Sequence, residues 1–313
     1  MEPIFDGGVP LFQNHRALLI GVKDYKNEEI NLRFGKIYRP DADVRALKRT
    51  LLSIGYPNTK LECLCNEEAT FANIRKKLRD LEEEFETPAE FETRGEFETS
   101  SKLTLIFWAG HGCQIEGNNY LLPWDANINA LASSALSVDE FSSYPTRFPL
   151  GHTAIFIDTC FSKGPARARV QFAGSDKLPE RVFAFVGASS DEAIENDQGG
   201  ILFTCLRDGL KGKYQYMTDE KGVVYLSSLA GHLQTLISRK ARVAWERAGQ
   251  GGPTPQQNPQ SHIEGNKSIP IGLDCRKYLG GVIVTSRGLP ASVKNLATLA
   301  IDRYCGYLET QDE

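Results

Sequence analysis

Short, unbroken apolar runs alternate with amphipathic stretches along most of this chain. Arg16 to Val22 (RALLIGV) is one such run and ends in polar and turn residues, the pattern of a strand buried on both faces. The next segment, DADVRALKRTLLSIGY, places Val44, Leu47, Leu51 and Leu52 at helical spacing. Gly55 stands where a C-terminal helix cap is expected. LECLC reads as a strand. In NEEATFANIRKKLRDLEEEF, Thr70 can N-cap a helix whose Ile74, Leu78 and Leu81 form one apolar stripe. Strand, helix, strand, helix in that order predicts an α/β fold around a parallel sheet.

The alternation continues. LTLIFWAGHG (103–112), HTAIFIDTC (152–160) and RVFAFVGASS (181–190) are further buried strands, and NNYLLPWDAN reads as a short strand or hairpin beside the first of them. GILFTCLRDGLKG is helical in pattern, YLSSLAGHLQTLISRKARVAWERAG is a long amphipathic helix, and GGPTPQQNPQ is a breaker-rich loop. Beyond Gly272 come a strand-like GGVIVTS and a helix-like ASVKNLATLAIDRYCGYL. Two segments break the rhythm. FETPAEFETRGEFETS (85–100) repeats Phe-Glu-Thr three times and reads as a solvated loop. SKGPARARVQFAGSDKLPER is basic, rich in small residues and proline, and reads as an exposed loop.

Composition narrows the function. A net charge of -4 offers no basic footprint, so nucleic acid is not an expected partner. No apolar stretch approaches the roughly 18 residues that cross a bilayer, and MEPIFDGGVPLFQ lacks the cationic start of a secretory signal. The seven cysteines are odd in number and scattered, which argues for a reducing compartment, hence a cytoplasmic location, over a disulfide framework. Cys63 and Cys65 are expected on opposite faces of their strand as packing residues, with no partners spaced for zinc. No GxxxxGK[ST] loop, no GxGxxG after the first strand and no GxSxG elbow occurs.

Two of the expected strands end in reactive side chains, His111 after LTLIFWAG and Cys160 after HTAIFIDT. Ligands of parallel sheets sit at the carboxyl ends of the strands, and a histidine beside a cysteine can generate the thiolate needed for acyl transfer. The segments RALLIGVKDY, DVRALKRTLLSIGY, LIFWAGHG, AIFIDTCFS and FVGASSDEAIE come in the order found in caspase-like cysteine peptidases, which this chain resembles over roughly residues 14–274. His111 precedes Cys160 by about 50 residues, the caspase separation. Asp158-Thr159-Cys160 has the metacaspase and paracaspase form, not the Gln-Ala-Cys of animal caspases.

The resemblance implies a three-layer α/β/α sandwich over 14–274, with a variable loop at 85–101 and a basic loop at 162–181. Residues 1–13 and 275–313 are then flanking extensions. It also implies a His111–Cys160 dyad, an oxyanion hole from the backbone N–H groups of Gly112 and Cys160, and a basic P1 residue held by Asp43, Asp158 and Glu195. Three acids without a nearby base would repel a P1 aspartate. The bland alternatives stay open: Asp43 as an N-cap, Asp158 as a partner of the next loop, Glu195 as a solvated acid. Lys163, Arg167 and Arg169 make the basic loop a self-cleavage segment on this reading, or a solubilising surface on the other. Protein or peptide substrates with Arg or Lys at P1 are the expected partners, with room for a regulatory domain or partner protein. No cofactor is required by the sequence and no metal site is expected. Some metacaspases need calcium, yet no acidic run here has the spacing of a calcium loop. The competing reading is a catalytically silent caspase-like scaffold in a signalling or cell-death assembly.

Overall fold

The structure is a computed structural model that describes residues 11–83, 102–147, 151–159, 183–187, 195–196, 199–247, 260–264 and 268–279. In chain order these form β1 (Arg16–Gly21), α1 (Glu28–Phe34), α2 (Pro40–Ser53), β2 (Leu61–Cys65), α3 (Phe71–Glu83), β3 (Leu103–Ala109), β4 (Gly112–Ile115) and β5 (Asn118–Leu121). There follow α4 (Leu131–Ser134), β6 (Leu136–Ser137), α5 (Val138–Arg147), β7 (His152–Asp158), β8 (Phe183–Gly187), β9 (Glu195–Asn196) and β10 (Gly199–Gly200). The series closes with α6 (Ile201–Leu210), β11 (Val223–Tyr225), α7 (Leu226–Arg247), β12 (Gln260–Glu264) and β13 (Pro270–Leu273).

Every residue of β1 and β3 is buried, so both strands belong at the centre of a sheet covered on two sides. The sheet runs β12-β8-β7-β3-β1-β2, parallel throughout except for β12, which pairs antiparallel with β8. The period-2 alternation of side chains divides the core in two. Leu19, Phe107 and Phe156 lie side by side in register and face α2, α6 and α7. Their neighbours Ile20, Trp108 and Ile157 face the opposite layer, which holds α3, α5 and the β4–β5 hairpin. The result is the expected α/β/α sandwich.

Local chemistry sets the helix ends. Gly55 has φ 102° and its N–H bonds Leu52 O, while Tyr56 N–H reaches back to Leu51 O. This pair of bonds closes α2 in the Schellman pattern. Thr70 Oγ1 accepts from Asn73 N at 3.2 Å, so Thr70 caps α3 as its sequence predicts. Helix α2 begins at Pro40 with Arg39 at the N-cap, which corrects the N-cap alternative for Asp43: Asp43 lies inside the first turn. Cys63 and Cys65 also need correction. Both pack against the core beneath α2, whereas Leu64 points to the other layer, because residues two apart on a strand share a face.

Candidate active site

At the carboxyl edge of the sheet, the register aligns three strand ends: Gly21 pairs with Ala109, and Ala109 with Asp158. His111 lies two residues beyond the end of β3, and Asp158 is the last residue of β7. Cys160 follows Asp158 by two residues in sequence and lies outside the described residues, as do Lys163, Arg167, Arg169 and the rest of the basic loop.

Beyond β3 the chain crosses to the α1 side of the sheet. The His111 ring stacks on Tyr25 at a centroid distance of 5.3 Å and lies 5.8 Å from Phe34. Its backbone N–H donates to the Tyr25 hydroxyl at 2.7 Å. Its Nε2 stands 2.8 Å from the carbonyl oxygen of Gly35. A carbonyl only accepts, so Nε2 carries the hydrogen and Nδ1 is left as the acceptor of the neutral ring. Burial of the ring, only partly offset by the Gly35 hydrogen bond, lowers its pKa from 6.5 to about 4, so His111 is neutral at physiological pH. Gly35 can present this carbonyl because it ends α1 at φ 87°, a left-handed conformation that favours glycine.

Gly112 opens the β4–β5 hairpin. Leu122 N–H donates to His111 O at 3.0 Å, so Gly112 and Leu121 form a non-hydrogen-bonded pair. The Gly112 N–H therefore points away from the β5 ladder.

Asp158 shares the parity of Ala154 and Phe156, so it emerges on the α2–α6 side of the sheet. There its Oδ2 accepts from Phe203 N at 3.1 Å, within the first turn of α6. Asp43, 3% exposed on α2, accepts from Gly200 N through Oδ2 at 2.9 Å. The two carboxylates close on adjacent glycines. A Cβ on Gly199 would come within 2.8 Å of Asp43 Cγ, and one on Gly200 within 3.1 Å of Asp158 Cγ. Glu195 belongs to the same small unit, its backbone pairing with Gly200 across β9–β10. The helix start comes close because Gly21 lacks a side chain: a Cβ there would meet Pro40 O at 2.6 Å and Val44 Cγ2 at 2.9 Å.

The structure thus gathers Asp43, Asp158 and the Glu195 backbone around Gly199–Gly200. It also corrects the picture of acids without a nearby base, because Arg39 Nε lies 3.7 Å from Asp43 Oδ1. Sequence reasoning passed over Tyr25, Gly35, Arg39 and Gly199. Only the glycines carried any signal, as the usual residues for positive φ.

A family model for the caspase domain of C14-type peptidases matches residues 14–257. The chain belongs to this caspase-domain family of cysteine peptidases. Its fold is similar to that of a protein from Geobacter sulfurreducens, at 15% identity and a TM-score of 0.51, covering 83% of this chain and 99% of that one. It is also similar to the Drosophila initiator caspase Dronc, at 10% identity and a TM-score of 0.51, covering 85% of each chain. At such identities the likeness concerns the fold alone. A comparison with curated proteins gives no match. Among the described residues of this caspase-domain protein, no helix is long and apolar enough to cross a membrane.

Proposed function

We propose that this caspase-domain protein is a cysteine endopeptidase that cleaves after arginine or lysine, with His111 and Cys160 as its dyad. The observation that carries the reading is the pairing of Ala109 with Asp158. It brings the chain leaving towards His111 and the chain leaving towards Cys160 out of neighbouring parallel strands, at the edge where such sheets bind ligands.

On this reading Nδ1 of neutral His111 takes the thiol proton of Cys160 and the thiolate attacks the carbonyl carbon after the basic residue. The Gly112 and Cys160 N–H groups hold the resulting oxyanion. His111 then returns the proton to the leaving amine, and water hydrolyses the thioester with His111 as base. The Gly35 carbonyl and Tyr25 stacking hold the ring in one orientation throughout and keep the hydrogen on Nε2 whenever the ring is neutral. Asp43 and Asp158 supply negative charge beside the β10–α6 turn, which supports a cationic P1 side chain over the aspartate preferred by animal caspases.

The test is hydrolysis of fluorogenic peptides with Arg, Lys, Asp or Leu at P1 by wild type and Cys160→Ala, with and without calcium. Turnover after Arg or Lys that vanishes in the variant is the expected result. Turnover after Asp would leave the peptidase and remove the acidic pocket. No turnover with any peptide would favour the scaffold reading.

A further inference from the structure

The carboxyl end of α6 gathers more positive charge than the fold needs. Gly212 takes φ 66°, its N–H bonds Gly209 O, and the Lys213 N–H reaches back to Asp208 O, which is the Schellman closure of a helix. The chain therefore doubles back and brings Lys213 Nζ to 3.1 Å from Asp208 Oδ1. Arg207 Nη2 reaches the same oxygen at 3.4 Å, and Lys240 of α7 reaches Oδ2 at 3.1 Å. Burial opposes ionisation of Asp208, but Lys240, Lys213 and Arg207 together outweigh it and hold its pKa below the ordinary value.

Three cations thus meet one carboxylate, which leaves two positive charges over. A favourable charge at the end of α6 and a tie from α6 to α7 account for Lys213 and Lys240, which are partly exposed. They do not account for Arg207. Its side chain is 12% exposed, and a guanidinium carries five donors. Among the described residues these have one hydrogen-bond acceptor, Asp208 at 3.4 Å, and Nε is buried without any. Tyr214, beside Lys213 in the chain, adds a second buried donor whose hydroxyl has no hydrogen-bond partner among the described residues. Burial first, then the neighbouring Cys205 and Asp208, raise its pKa, so this hydroxyl stays protonated and able to donate. Two buried donors in one cluster are costly unless something accepts from them.

We propose that Arg207, Lys213, Lys240 and Tyr214 form a binding site for a phosphate dianion, free or carried on a small molecule. Two negative charges match the local excess. Tetrahedral oxygens can accept at once from donors that converge from α6, the turn after it and α7, which a flat, singly charged carboxylate does less well. Arg207 supplies the planar fork suited to phosphate, and Asp208 keeps the three cations gathered. Lys213, half exposed, marks the side open to solvent. Arg207 lies one helical turn from Phe203, whose N–H Asp158 accepts. The site uses neither His111 nor Cys160, so the inference stands apart from the peptidase reading.

The experiment is calorimetric titration of the full chain with inorganic phosphate, phenyl phosphate and acetate, at fixed ionic strength and about pH 8, where phosphate carries nearly two charges. The native chain is expected to bind phosphate at least about tenfold more tightly than acetate, the difference between a dianion and a single charge. Tyr214→Phe should weaken phosphate binding about fivefold, by loss of one hydrogen bond to a charged group, and Lys213→Gln about two- to fivefold, as suits a half-exposed cation. Arg207→Gln should weaken it most. If that variant does not fold, the other two decide. Lys76→Gln, at an exposed position of α3 in the opposite layer, should bind as the native chain does. Phosphate and phenyl phosphate binding alike support a phosphoryl group on a small molecule; phosphate alone keeps the site and identifies the free anion. Acetate binding as tightly as phosphate overturns the dianion site. So does the absence of phosphate binding in the native chain, or unchanged affinity in both Tyr214→Phe and Lys213→Gln.

Discussion

Two histidines of this fold differ in almost nothing local, yet they stand at opposite ends of the sheet. His15 precedes β1 and donates through Nε2 to Pro270 O at 2.8 Å; His111 follows β3 and donates through Nε2 to Gly35 O at 2.8 Å. Each ring packs between aromatic neighbours, Phe12 and Tyr56 for His15, Tyr25 and Phe34 for His111. Burial lowers each pKa to about 4. Only position separates them. His15 is sealed at the amino edge with its Nδ1 buried and without a hydrogen-bond partner. His111 stands at the carboxyl edge, beside the strand that leads to Cys160. A perturbed pKa alone would have nominated both, so topology has to choose between them.

The sharpest way to break this comparison is to delete each ring. His111→Ala is expected to lower kcat/KM on an Arg-P1 peptide by about 10³-fold or more, the scale of a lost general base. His15→Ala should leave turnover of the folded fraction intact and cost about 3 kcal/mol in urea unfolding, from lost packing and one buried hydrogen bond. Equal effects on turnover would dissolve the distinction.

Acid should reveal the same pair thermodynamically. Both folded-state pKa values lie below the ordinary 6.5, so the unfolded chain takes up these protons first. The contribution is complete above about pH 6.5 and is lost as pH falls towards 4, by up to about 3 kcal/mol per histidine. A urea series across that window should show a shallower decline in His15→Gln than in wild type. For His111 the counterpart is kinetic: the acid limb of kcat/KM that belongs to it should fall near pH 4 rather than 6.5.

Smaller effects sharpen the contrast at single positions. Gly199→Ala forces a Cβ into the Asp43 carboxylate at a φ of 111°. Gly117→Ala meets nothing within 4 Å at a φ of 84°. Both should lose about 1–2 kcal/mol of stability from the backbone, but only Gly199→Ala should weaken hydrolysis of Arg-P1 peptides, by about tenfold. Tyr25→Phe keeps the ring under His111 and removes the acceptor for its N–H. It is expected to lower kcat a fewfold with KM unchanged, at about 1 kcal/mol of stability.

Much of the scaffold was legible because its signals are periodic. β1, β3 and β7 read as continuous apolar runs, and α2 and α3 as 3.6-residue stripes with identifiable caps. Elements whose burial comes from neighbours were missed. β12 (QSHIE) is a polar edge strand recruited by backbone bonds to β8, and α5 carries Pro145 within its span. Within the candidate site, the positions of His111 and Asp158 at the carboxyl edge of the sheet were legible because each stands at the end of a hydrophobic run. Arg39 was not, since nothing in RPDADV says that its side chain turns back over Asp43.

Hydrophobic period, cap chemistry and strand-end residues are encoded over a few neighbours, and so the sequence by itself determined the layered α/β plan and which edge of the sheet carries reactive groups. Strand order, the meeting of Asp43 with Gly200 and of His111 with Gly35, and the intrusion of Arg39 depend on contacts between segments far apart in the chain. Those were decided only when the sheet closed, because its register and the parity of each strand fix which side chains can meet.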